Sequence, residues 1–208
     1  MPIRINGTDR PTTINTPTDM PMGTYHMAAN TNLYEIQRTN NFEFIVTDID
    51  GIQRAGMIGG ETAGTIDNAQ EIIRMAVSSA SVPYFTQDAI EVKRGNSTMK
   101  FAGVPKFDAG TIKVNDYIGA SAKEVLLAWQ ALSYNVVTEK VGLASDYKKT
   151  CYLVEYTPDY QKVRQWKMHG CWISKLSGAE FSSDSNEKMQ IDVTIEYDKA
   201  ELDTSEVV

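Results

Sequence analysis

From Met189 to Asp198 apolar and polar residues alternate without a break. Met189, Ile191, Val193, Ile195 and Tyr197 fall on one side, and Gln190, Asp192, Thr194, Glu196 and Asp198 on the other. A two-residue period is that of a β-strand, whose successive side chains point to opposite faces. A slip of one residue would turn the whole apolar set toward water, so the strand must sit in a fixed register with one face buried and the other wet and acidic. The rest of the chain therefore has to supply a core for that apolar face.

Other segments read as strands of the same kind. In Phe42 to Asp48, Phe42, Phe44 and Val46 alternate with Glu43, Ile45 and Thr47. Residues 71–79 fit a poor helical face or an alternating strand, and the run of small and β-branched residues before Pro83 favours the strand. Ile90–Lys93 and Met99–Phe101 flank Arg94-Gly95-Asn96-Ser97, the signature of a hairpin turn. Further strands are expected over Thr111–Val114, Thr150–Thr157 and Lys162–His169, the last continuing into Gly170-Cys171-Trp172-Ile173. One helix interrupts them. Ser121 and Glu124 form a capping box, and Val125, Leu126, Trp129 and Leu132 then recur on one face until about Asn135.

Residues 1–40 are different. They hold four of the chain's seven prolines with many Thr and Asn, and read as an extended arm or tail. Between 51 and 66 lies a Gly-rich loop with Gly56, Gly59, Gly60 and Gly64. It lacks the Gly-Lys-Ser/Thr ending of a phosphate loop and the spacing of a dinucleotide fingerprint, so it reads as a flexible connection.

The chemistry-bearing residues do not assemble into a motif. Of 208 residues only two are histidines, His26 and His169, and two are cysteines, Cys151 and Cys171. That is too few for a disulfide framework or a paired-ligand zinc site, and Cys151 and Cys171 read as buried thiols on neighbouring strands. No Gly-x-Ser-x-Gly is present to carry a nucleophile. The expectation is a non-enzyme with no cofactor and no metal. With 27 acidic and 20 basic residues the net charge is −7, which argues against a surface built to wrap nucleic acid. Lys162, Arg164 and Lys167 around Trp166, with Glu155 on the partner strand, read as the solvated side of a sheet. No apolar run approaches the ~18 residues of a membrane span, and the first residues lack the apolar stretch of a secretory leader. A soluble protein made inside the cell is expected.

The order of these parts carries a resemblance. A mostly antiparallel β chain holds one capped helix around Trp129 and then a hairpin rich in Lys, Tyr and Trp. Next come Gly170-Cys171-Trp172, a Phe-Ser-Ser-Asp-Ser-Asn turn and the alternating strand that ends in Tyr197-Asp198. Over roughly Asn41 to Asp198 this resembles the tail tube proteins of contractile-tailed bacteriophages, a group that includes the tubes of type VI secretion systems and of phage-like bacteriocins. The arm before residue 41 and the Gly loop near 60 are longer than a minimal tube subunit needs.

The resemblance implies a mainly β (α+β) fold, an antiparallel barrel or sandwich over 41–208 with one flanking helix. It implies six copies to a ring and rings stacked into a hollow tube in the virion tail. Such a tube is assembled in the host cytoplasm, with sheath, baseplate and terminator proteins as partners and double-stranded DNA passing through the lumen. On that reading Asp192, Glu196, Gln190 and Thr194 face the bore, with Glu43 a weaker candidate. Val125, Leu126 and Trp129 pack on Ile191, Val193 and Ile195. Gly56, Gly59, Gly60 and Gly64, together with the arm, make ring-to-ring contacts. The competing readings are a tube-end or adaptor ring, and a small β-barrel that binds a ligand or glycan with Trp166 and Trp172.

Overall fold

The computed structural model describes residues 4–5, 8–9, 35–53, 64–178, 183–184 and 186–203, the first two pairs by backbone alone. His26, Gly56, Gly59, Gly60 and most of the 1–40 segment lie outside them. The chain divides into two units, one of residues 1–42 and 154–164, the other of residues 43–153 and 165–208.

In the smaller unit β1 (Arg4–Ile5) pairs antiparallel with β2 (Thr8–Asp9). Residues 37–41 are tied to 156–157: Gln37 Nε2 donates to the Tyr156 carbonyl (2.9 Å), Tyr156 N to the Asn41 carbonyl (2.9 Å) and Asn41 Nδ2 to the Thr157 carbonyl (3.1 Å). Arg164 meets Glu155 at 2.9 Å.

The larger unit is mainly β. In chain order it contains β3 (Phe42–Val46), β4 (Ile52–Gln53), β5 (Thr65–Ile66), α1 (Ala69–Ala76), β6 (Val77–Ala80), β7 (Phe85–Arg94), β8 (Ser97–Phe107) and β9 (Gly110–Asn115). Then come α2 (Ala122–Ser133), β10 (Tyr134–Asn135), β11 (Lys140–Val141), α3 (Ala144–Tyr147), β12 (Lys149–Tyr156), β13 (Lys162–Gly178), β14 (Gln190–Glu196) and β15 (Lys199–Asp203). The principal sheet runs β3-β12-β13-β14-β9-β6, with β15 added on β13. The pairs β13–β14, β14–β9 and β9–β6 are antiparallel. The strands β7 and β8 form a separate two-stranded hairpin.

Strand β13 is the hinge of the architecture. Its first half, Gln165–His169, pairs with β15, and its second half, Trp172–Gly178, pairs with β14. The changeover falls at Gly170, whose φ of 69° is a left-handed conformation that suits glycine. A Cβ there would also run into the Asp198 carboxylate, which is ion-paired to Lys148. A bulge at Ser174 then keeps the pattern in phase: Ile173 lies opposite Ile195 and Leu176 opposite Val193, although they are three residues apart.

Apolar residues of the principal sheet form the core, Phe44 and Val46 of β3 and Leu153 of β12 among them. Ile191, Val193 and Ile195 of β14, Ile112 and Val114 of β9 and Ile173 of β13 are all buried, each worth about 1.5–3 kcal/mol of transfer free energy. Val125, Leu126 and Trp129 of α2 are buried too. Leu126 and Leu127 share a small cavity of about 80 Å³ with Leu176, Met189 and Ile191, which sets this helix over one end of the sheet. The start of α2 is doubly capped. Ser121 Oγ accepts from Glu124 N at 3.3 Å, and Asp116 Oδ1 accepts from Lys123 N at 3.2 Å, placing a carboxylate at the positive end of the helix. Trp129 keeps its indole N–H satisfied by donating to the Tyr147 carbonyl (2.9 Å).

Two local expectations are corrected. Residues 69–76 are a helix and strand begins only at Val77. The helical face is Ala69, Ile73 and Ala76, spaced by four and three, and its first turn is held by Gln70 N donating to Asp50 Oδ1 at 2.8 Å. Small Ala69 is what lets this face approach a neighbour, and an apolar count over Ile72, Ile73 and Met75 misses it. The hairpin is also far longer than Ile90–Lys93 and Met99–Phe101. Its strands extend to Phe85 and Phe107, with Gly103 and Pro105 accommodated beside a bulge at Asp88.

The polar face of the central sheet as candidate functional site

The face of β14 opposite the core carries the residues that the sequence singles out. Asp192 is exposed, and Gln190, Thr194 and Glu196 are half-buried. The pairing register fixes their neighbours. Asp192 lies between Lys113 of β9 and Ser177 of β13, Thr194 between Thr111 and Lys175, Gln190 beside Asn115, and Glu196 beside Trp172. Directly opposed residues of an antiparallel pair share a face, so these side chains form one surface.

Its chemistry is that of a cross-strand mesh. Gln190 Nε2 donates to Asn115 Oδ1 (3.1 Å) and Ser78 Oγ (3.3 Å), Ser177 Oγ to the Asp192 carbonyl (3.3 Å), and Ser78 Oγ to the Lys113 carbonyl (3.1 Å). Lys113 Nζ sits 3.6 Å from Asp192 Oδ1, both side chains being more than half exposed. An exposed pair of this kind contributes about 0–1 kcal/mol to stability, so its meaning lies in the surface charge. Reading β14 alone suggests an acidic face. The neighbouring strands add two lysines, and the face is charge-balanced, two carboxylates against two ammonium groups among hydroxyls and amides. Lys113 and Lys175 escape a search of the sequence because only the register brings them beside Asp192 and Thr194.

Glu43 does not join this group. It stands on β3, at the end of the sheet order opposite β6 and three strands from β14, and its carboxylate meets Arg74 of α1 at 2.8 Å. Gly64 is exposed with open space around its Cα. Trp166 and Trp172 are engaged edge-on with Tyr84 (6.0 Å between centroids) and Tyr147 (6.1 Å), each half-buried.

The titratable groups with displaced equilibria lie elsewhere. Lys199 and His169 hydrogen-bond the Glu201 carboxylate and hold it at about 2. The Asp198 carboxylate raises Lys148. Burial pushes the Cys151 thiol well up and raises Tyr197, as expected of groups whose charged form would lose its water. Among the described residues no cluster of three His, Cys, Asp or Glu side chains is placed to hold a metal ion, and no helix is long and apolar enough to cross a membrane.

Comparison with known proteins adds to this geometry. A family model described as T4-like virus tail tube protein gp19 matches residues 40–201. Curated protein sequences give no significant match. Among solved structures, the chain is similar to a chain of the anti-feeding prophage tube-terminating cap (TM-score 0.56, 16% identity, 82% of this chain and 92% of that one). It is similar to a chain of the PVC sheath–tube complex, an extracellular contractile injection system in its extended state (TM-score 0.54, 15% identity, 88% and 99%). It is also similar to a chain of the anti-feeding prophage baseplate (TM-score 0.55, 10% identity, 80% and 95%). At these identities the likeness is one of fold.

Proposed function

The chain belongs to the T4-like virus tail tube protein gp19 family, a contractile-tail tube family, and from that premise we propose that it forms the inner tail tube of a bacteriophage. In this reading six copies close into a ring and their sheets join into a continuous inner barrel. Rings stack into a tube gripped by the sheath and bounded by baseplate and terminator, assembled in the host cytoplasm, and the double-stranded genome passes through it on ejection. The family match carries the reading, since it spans the helix, the bent strand and the alternating strand alike. Closing a ring also pairs sheet edges that would otherwise invite aggregation.

The polar face of β9, β13 and β14 is then the wall of the bore. A wall for DNA must stay wetted without holding phosphates. Bare lysines would bind them and release counterions, and transit would stall. Asp192 answers this by occupying Lys113, and Asp192 and Glu196 together balance Lys113 and Lys175, so the carboxylates act less as repelling charges than as a screen over the ammonium groups. Hydroxyls and amides at Thr111, Thr194, Ser177 and Gln190 keep the wall hydrated. The arm over residues 1–40 and the loop over 51–66 supply ring-to-ring contacts, with 41–208 as the tube domain.

Cysteine placed at Asp192 tests the wall assignment. In assembled tubes a small maleimide reagent should label it and a bulky polymer-linked one should not, whereas dissociated subunits should react with both. Equal reaction with both reagents in intact tubes would put this face on the outside. The likeness to the tube-terminating cap supports a second reading, a single terminal ring, which would give closed rings that never lengthen.

A further inference from the structure

The two cysteines take no part in the polar face, and the fold brings them together inside the larger unit. Cys151 stands on β12 and Cys171 on β13, neighbouring strands of the principal sheet, and both side chains are fully buried. Lys167 Nζ of β13 lies 5.8 Å from the centre of the Tyr152 ring of β12. One residue further along, Cys151 therefore adjoins Met168. Gly170 does the rest. Its left-handed φ of 69° turns the chain so that the Cys171 thiol reaches back and donates to the Met168 carbonyl at 3.5 Å. With that proton spent, the hydrogen bond between the two thiols runs from Cys151 to the Cys171 sulfur.

A single buried thiol behaves as a small apolar side chain and is inert. Two in contact differ, because a sulfur oxidised once has its partner already in place. A bond between them would close a loop of about 20 residues, long enough to restrict the unfolded chain appreciably.

We propose that Cys151 and Cys171 form a modification site, a dithiol that a small two-electron oxidant of the peroxide class converts into an intrachain disulfide joining β12 to β13. The Cys171 sulfur gives up its proton and attacks one oxygen of hydrogen peroxide. The O–O bond breaks, a sulfenic acid forms, and the departing hydroxide takes the proton as water. The Cys151 sulfur then attacks the Cys171 sulfur, the S–O bond breaks, and the Cys151 proton leaves with the hydroxide as a second water. Two thiols and one peroxide thus give one disulfide and two waters. Burial and the Cys171 thiol hold Cys151 in its neutral form, which makes it the second sulfur to act. Full burial shuts out bulky thiol reagents, whereas hydrogen peroxide is little larger than water. The chemistry does not depend on assembly. For copies that assemble in a cytosol where thiols stay reduced and then leave it, the bond forms after release and staples β13 at its bend.

The test uses the full chain, reduced and then incubated with hydrogen peroxide. The protein is next unfolded in iodoacetamide, digested and weighed. The expected product has neither cysteine alkylated, and the peptides holding Cys151 and Cys171 are linked within one chain. The linked subunit should melt about 6–12 °C above the reduced one, and dithiothreitol should reverse the shift. In Cys151→Ala the Cys171 sulfenic acid has no second sulfur and should be captured by dimedone. Alkylation of both cysteines after peroxide overturns the inference. So do sulfinic or sulfonic acids without a link, a link between chains, or a linked subunit that melts no higher than the reduced one. Peptide mapping of the parent decides the matter even where the alanine variant fails to fold, and none of these readouts requires rings or tubes, so they stand apart from the proposed function.

Discussion

Strand β14 and the β7–β8 hairpin obey the same two-residue rhythm and end in opposite situations. In β14 the apolar set Ile191, Val193 and Ile195 is buried by the chain's own strands and helix. In the hairpin the set Ile90, Val92, Met99 and Phe101 faces solvent. Alternation thus declares that a face is meant for burial and is silent on who buries it. That is decided by what lies within reach: β9 and β13 flank β14 and α2 lies over one end of the sheet, whereas among the described residues the hairpin strands pair only with each other.

The largest test of this contrast is a pair of truncations. Trp129→Ala removes a fully buried indole and should cost about 3–5 kcal/mol, read as a large fall in the denaturant midpoint. Phe101→Ala in the dissociated subunit should stay within ~0.5 kcal/mol of the parent. Comparable losses at the two sites would erase the distinction drawn here. Gly170→Ala comes next. The left-handed φ and the Asp198 carboxylate both oppose a side chain, so about 1–3 kcal/mol should be lost, and thermal melts of the subunit would show it. Gly103→Ala separates the two regions in another way. A Cβ there would meet the Asp88 carbonyl across the bulge, so the hairpin amides should lose hydrogen-exchange protection while the core melts normally.

Smaller effects sharpen the β14 side. Ser121→Ala should cost about 1 kcal/mol, softened by the second cap from Asp116. Asp192→Asn should leave stability within ~0.5 kcal/mol, because the pair is exposed. Tubes of that variant should retain more DNA than the parent in a low-salt filter assay, since Lys113 is uncovered, and adding Lys113→Gln should return retention to the parent's level. The smallest effect is at Glu201. Its folded value of about 2 lies below the ordinary 4.5, so its stabilising contribution is full above 4.5 and disappears as pH falls toward 2. A difference in melting temperature between the parent and Glu201→Gln at pH 6 should close over that interval.

Much of the fold was legible because it rests on local rules. The β14 alternation, the Ser121 cap and the apolar face of α2 are written in consecutive residues. What was not legible depends on long-range register. The bulge at Ser174 that lets Ile173 and Leu176 share a face leaves no local mark. Helix α1 hides behind the small side chain of Ala69, and Lys199–Asp203 forms β15 against β13 despite a charged, unpromising composition. The acidic reading of the wet face failed to include Lys113 and Lys175 for the same reason: the pairing partners of a strand, not the strand itself, complete the surface.

Electron microscopy of the purified full-length chain across a concentration series tests the central claim most directly. Six-fold rings with an open centre, stacking into filaments as concentration rises, are the predicted objects. Only compact single subunits of about 23 kDa at the highest concentration, with neither annular nor filamentous particles, would contradict the account.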